Sequence, residues 1–161
     1  MKRLGIYLAL AGAAIATAAF AASGALASPA KQQTVYKTMI IVGHALGQKG
    51  PDGLLHDTTY GANFDAKLGE KVVVTVYNYD EGPHTITAPG LKLNVLIKGA
   101  TNEEKGIPSK KVFSFVAKKK GTFRWYCALP CDAGQHGWAM TPSKKGPDQD
   151  GFMAGYITIT A

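Results

Sequence analysis

Short runs of β-branched and apolar residues, each cut off by glycine or proline, constrain this chain more than any other feature. They lie at 35–42, 71–78 (KVVVTVYN), 91–97, 111–117 (KVFSFVA), 122–127 and 155–160 (GYITIT). Side chains alternate along a strand, so Leu91, Leu93 and Val95 share a face, and Ile157 and Ile159 point one way. Phe113 and Phe115 likewise oppose Val112, Ser114 and Val116. No window of a dozen residues carries a convincing 3.6-residue apolar period, so amphipathic helices have no face to bury. Several short strands at this spacing predict an all-β sandwich or barrel. Lys118-Lys119-Lys120-Gly121 reads as a solvated hairpin turn. Residues 43–60, with Gly43, Gly47, Gly50, Pro51 and Gly53, read as a loose connection.

Composition narrows the function classes. At 161 residues, 46% hydrophobic and 18% charged, the chain fits one ordered domain, and no internal repeat is visible. Two cysteines cannot build a disulfide-dense scaffold or a four-thiolate zinc or iron–sulfur site. Four histidines are too few for a multicopper oxidase, which needs a crowd of imidazoles. The formal charge of +7 points to an acidic partner. The aromatic residues form no basic-aromatic array, so nucleic acid is not expected.

The first segment reads as an address. Lys2 and Arg3 precede an uncharged, Ala-rich apolar run from Leu4 to Ala22, followed by Ala25-Leu26-Ala27. A charged start, an apolar middle and a small-residue cut predict a secretory signal peptide over 1–27, cleaved after Ala27. The alternative is a retained membrane anchor, since the run is long enough to span a bilayer. Cleavage leaves 16 basic against 11 acidic residues, a charge of +5, and no membrane span. The expected location is periplasmic or extracellular, where the cysteines meet an oxidising environment.

The chemistry concentrates near the C-terminus. Both cysteines, His136, Met140 and Met153 fall within GTFRWYCALPCDAGQHGWAM and the later DGFMAGYITIT. His84 sits upstream in NYDEGPHTITAPGL, directly after the run at 71–78. A soft thiolate, imidazoles and a thioether together suit copper better than other first-row metals. A trigonal His₂Cys set with a long axial Met is the electron-transfer arrangement. Ligands held on rigid strand ends rearrange little when the metal changes oxidation state. His44 and His56 have no partners at useful spacing and read as loop residues.

From about Phe64 to the end, the chain resembles the cupredoxin family. GTFRWYC looks like the penultimate strand that delivers the copper cysteine, which would be Cys127. MAGYITIT looks like the final strand, with an axial Met at Met153. Asn78 followed by Pro83-His84 looks like the segment that supplies the first histidine. Cys127, Cys131, His136 and Met140 also resemble the dinuclear copper motif of cytochrome oxidase subunit II. Here that motif is one residue longer in each of its last two gaps, and it lacks the usual acidic residue between the cysteines. A third likeness is to secreted cupredoxins with a Cys…Pro-Cys-Asp…Trp-Ala-Met…Gly-aromatic-Met-x-Gly string. That string is matched by Cys127, Pro130-Cys131-Asp132, Trp138-Ala139-Met140 and Gly151-Phe152-Met153-Ala154-Gly155.

The resemblance implies a cupredoxin-like Greek-key β-sandwich. Residues 28–63 would supply an N-terminal strand and Gly-rich connection, and 64–161 the core with the copper loop. It implies a monomeric, non-enzymatic electron carrier that binds copper and meets a redox partner with an acidic docking surface. The expected metal residues are His84, Cys127, Cys131, His136, Met140 and Met153, with Met140 or Met153 as the axial ligand. Cys131 would bridge a second copper or support the site from outside. Two alternatives stay open. One is a copper carrier or chaperone. The other is a metal-free module in which Cys127 and Cys131 form a disulfide, a small ring stabilising by roughly 2 kcal/mol.

Overall fold

A computed structural model describes residues 32–132, 139 and 151–161 of the chain. Its described strands are β1 (Thr34–Val42), β2 (Gln48–Lys49), β3 (Leu55–His56), β4 (Thr58–Tyr60), β5 (Phe64–Lys67) and β6 (Lys71–Asn78). They continue with β7 (His84–Ala88), β8 (Leu93–Ile97), β9 (Ser109–Val116), β10 (Gly121–Tyr126) and β11 (Ala154–Thr160). They form a four-stranded sheet in the order β4-β1-β6-β9, a five-stranded sheet in the order β5-β11-β10-β7-β8, and a small β2-β3 hairpin. β1 runs parallel to β6 and β5 parallel to β11, while the other pairings are antiparallel.

The two larger sheets pack face to face because each presents alternate apolar residues inward. Met39 and Ile41 of β1 and Val72, Val74 and Val76 of β6 are fully buried. From the other sheet come Ile86, Ala88, Ile97, Trp125, Ile157 and Ile159. The Trp125 indole N–H donates to the Ala62 carbonyl at 2.7 Å, so the largest core side chain is buried without losing its polar partner. In β9 the phenylalanines face the core, while Val112 is half exposed.

Two local expectations are corrected. The lysine run at 118–120 does not close a hairpin: β9 belongs to the first sheet and β10 to the second, so this turn carries the chain from one sheet to the other. Residues 43–60 are not a loose connection either. They contain a 3₁₀ turn (His44–Leu46), the β2-β3 hairpin and β4, which pairs with β1. Their strands are two or three residues long, too short for alternation to register in the sequence.

Candidate metal centre

The site lies where β7 begins and β10 ends. Asn78, the last residue of β6, organises the turn that leads to β7. Its amide donates to the carbonyls of Gly82 (2.9 Å) and Lys98 (3.0 Å), and its Oδ1 accepts from the Asp80 N–H (3.0 Å). The Asp80 carboxylate accepts in turn from the Gly82 N–H (3.3 Å). Gly43 passes so close to Asp80 that a Cβ there would collide with the carboxylate. The turn therefore delivers His84 to the first position of β7, only 1% exposed.

Both ring nitrogens of His84 are engaged. Nε2 lies 2.8 Å from Asp80 Oδ2, and Nδ1 lies 3.1 Å from Cys131 Sγ and 3.8 Å from Cys127 Sγ. Burial pushes the Asp80 carboxyl up, but hydrogen bonds from His84 and from the Gly82 and Glu81 backbone oppose it and leave it below the ordinary carboxylate value. An ionised Asp80 is an acceptor for Nε2–H, and a neutral ring bonded in that way turns its Nδ1 lone pair toward the two sulfurs. This is the tautomer a metal-binding imidazole needs.

Cys127 follows β10 directly and is 1% exposed. Its backbone N–H donates to the Met153 carbonyl (2.9 Å), and its sulfur accepts from the Thr85 N–H (3.4 Å). Cys131 closes the short loop behind it, with its N–H on the Leu129 carbonyl (2.7 Å). The Cys127 and Cys131 sulfurs lie at disulfide distance, with their Cα atoms 7.2 Å apart. The donor atoms of His84, Cys127 and Cys131 all lie within 4.8 Å of one another, and all three residues are buried. In the reduced state, two cysteine sulfurs and an imidazole nitrogen so placed would fit copper.

Met153 is fully buried beside this cluster. Its backbone bonds both to Cys127 and, through its N–H, to the Ala139 carbonyl (2.8 Å), while its thioether accepts from the Thr59 hydroxyl (3.3 Å). His136 and Met140 lie outside the described residues. Thus four of the six predicted metal residues are described, three of them as one donor cluster with Met153 bonded to it through Cys127.

The sequence reading missed the acidic residues. Asp57, Asp80 and His84 form a second close group, and burial together with the Asp80 charge pushes the Asp57 carboxyl up. His56, expected as a loop residue without partners, is instead fully buried between Asp52 and Asp132. Its partners are four residues away on one side and 76 on the other. Only the nearer, Asp52-x₃-His56, was available as a signal in the sequence.

No family model and no curated protein match the chain. Solved structures do. A multicopper oxidase from Pseudomonas Thermotolerans aligns with a TM-score of 0.54 at 11% identity, over 80% of this chain and 30% of that one. A second multicopper oxidase aligns with a TM-score of 0.51 at 14% identity, over 82% of this chain and 44% of the other. The novel purple cupredoxin from Nitrosopumilus maritimus aligns over 77% of this chain and 99% of its own, at 17% identity and a TM-score of 0.40. This chain thus spans less than half the length of either oxidase. The likeness is one of fold, and the chain is a cupredoxin-like β-sandwich.

Proposed function

We propose that the protein binds copper at His84, Cys127 and Cys131, with Met153 beside them, and passes single electrons. One observation carries this reading: two buried sulfurs converge on one ring nitrogen of a buried imidazole whose other nitrogen is held by a carboxylate. Copper supplies the change between Cu(I) and Cu(II). The chain supplies a donor set fixed to strand ends β7 and β10, a tautomer set by Asp80, and a core that excludes water. His136, from the loop after Cys131, is the further imidazole in this reading, and Met140 competes with Met153 for the axial position.

Burial of the donors favours an electron carrier over a copper chaperone, which needs exchangeable, exposed ligands. With four histidines in the chain, one of them held between Asp52 and Asp132, the oxidase chemistry of the multicopper neighbours is not proposed. The reading includes a secreted, monomeric product released by cleavage after Ala27 and a redox partner with an acidic surface. Among the described residues no helix is long and apolar enough to cross a membrane.

The disulfide distance between the sulfurs favours a second reading, a metal-free module with Cys127 bonded to Cys131. Against it, Cα atoms 7.2 Å apart exceed the roughly 4.4–6.8 Å that a disulfide ordinarily spans. Electron spin resonance of the copper-loaded protein separates the possibilities. Hyperfine splitting from one nucleus identifies a mononuclear centre, and splitting shared over two equivalent nuclei a dinuclear one. Cys127→Ser abolishes the signal in both cases, and Cys131→Ser only in the dinuclear case. Two blocked thiols in the metal-free protein, with no colour on adding Cu(II), refute copper binding.

A further inference from the structure

The segment 43–60 supplies no sulfur or imidazole to the donor cluster, yet it buries His56 completely. Its glycines close around that residue. A Cβ on Gly50 would stand 2.7 Å from His56 Nε2, and one on Gly47 would collide with the His56 carbonyl. The composition that gives this stretch the look of a linker is what lets it wrap a buried ring.

The ring faces a carboxylate on each side. His56 Nε2 lies 2.9 and 3.1 Å from the two oxygens of Asp52, and Nδ1 lies 2.9 Å from Asp132 Oδ2. A neutral imidazole has one N–H and would turn a lone pair toward one carboxylate, whereas the imidazolium donates to both. Asp132 directly follows Cys131 and sits at φ +57°, a left-handed conformation that a non-glycine residue holds only with support. That support is present. Besides His56, Asp132 accepts from the backbone N–H of Asp57 (3.2 Å) and of Ala139 (2.9 Å), and its own N–H donates to Asp57 Oδ2 (2.9 Å). Ala139 in turn accepts from the Met153 N–H. One carboxylate therefore ties together the segment at 52–57, the residue after Cys131, and the strand start that carries Met153.

We propose that His56 is a positioning residue for the metal site: a buried imidazolium that holds Asp132, and through it Cys131 against His84 and Ala139 against Met153. Its effect on copper rests on the functional reading above, but the latch itself does not.

The test therefore has two arms. In the metal-free protein, nitrogen-15 NMR of the histidine rings should show both His56 nitrogens protonated at neutral pH. A single ring proton on His56 overturns the proposal. In the copper-loaded protein, His56→Gln keeps one donor and removes the charge. It should release copper to a chelator about tenfold faster or more and change the copper hyperfine splitting. Leu46→Gln, on the same segment and 73% exposed, is the control and should do neither. Asp52→Asn, a milder change at a partly exposed site, should move both readouts in the same direction, and it decides the matter if His56→Gln does not fold. Unchanged splitting and release in the folded variants overturn the proposal. A wild-type protein that takes up no copper refutes the functional reading instead, and the ring-proton measurement still decides the latch.

Discussion

At the scale of single residues, the two nitrogens of His84 have opposite duties, and Asp80 assigns them. When the neutral ring donates Nε2–H to the carboxylate 2.8 Å away, its Nδ1 lone pair is committed toward the sulfurs. Replacing Asp80 by Asn preserves an acceptor but removes the charge that makes the imidazole a stronger donor. Copper affinity should then fall about 10–100-fold, and the reduction potential should rise because the more highly charged Cu(II) loses more stabilisation. Competition against a chelator and voltammetry measure the two effects. An Asp80→Asn protein that matches wild type in both would show that the carboxylate only packs against the ring. His84, Cys127, Cys131 and Met153 stood out in the sequence as candidates because ligand chemistry restricts residue type, and the structure brings the first three together. Asp80, four residues before His84, was equally visible as a letter, but nothing in its spacing announced a hydrogen bond.

At the scale of elements, the long strands were legible and the short ones were not. β6 matches its expected bounds at 71–78, and β1, β9, β10 and β11 begin one or two residues earlier than expected. Expected strand residues at 91–92 belong instead to a turn before β8. The reason is physical: eight or nine residues carry several periods of alternation, and two or three carry about one. Strand β11 also shows how tightly the site-bearing elements fit. Gly155 faces Trp125 across the β10–β11 pairing, and a Cβ there would meet the indole nitrogen at 2.7 Å and collide with the Ala62 carbonyl. Gly155→Ala should therefore cost about 1–3 kcal/mol by overpacking. Urea denaturation of the metal-free protein measures it. Since Met153 lies two residues away, the copper spectrum should shift as well. Equal stability of the variant and wild type would mean that the strand moves outward without loss.

At the scale of the whole molecule, the buried His56 makes stability depend on pH. Burial pulls its pKa down, but the hydrogen bonds and charges of Asp52 and Asp132 outweigh this and leave it above its ordinary value of about 6.5. Its folded-state pKa is thus raised, so its contribution is complete below about pH 6.5 and is lost as pH rises through the folded value. Denaturation midpoints of the metal-free protein should fall on that alkaline limb, and His56→Gln should flatten it. A wild-type midpoint that stays level there would contradict this. Charge acts at the same scale: 16 basic against 11 acidic residues after Ala27 should make association with an acidic redox partner weaken as salt rises. Binding that is indifferent to ionic strength would remove the electrostatic argument. By itself, the sequence determined the β class, the long strands and a short list of candidate donors, because each is written in local residue order. Only the tertiary structure decided that the lysine turn joins two sheets, that the glycine-rich segment closes around a buried histidine, and that His56 meets Asp132 across 76 residues. Contacts at that separation arise from how sheets pack, and no local pattern records them.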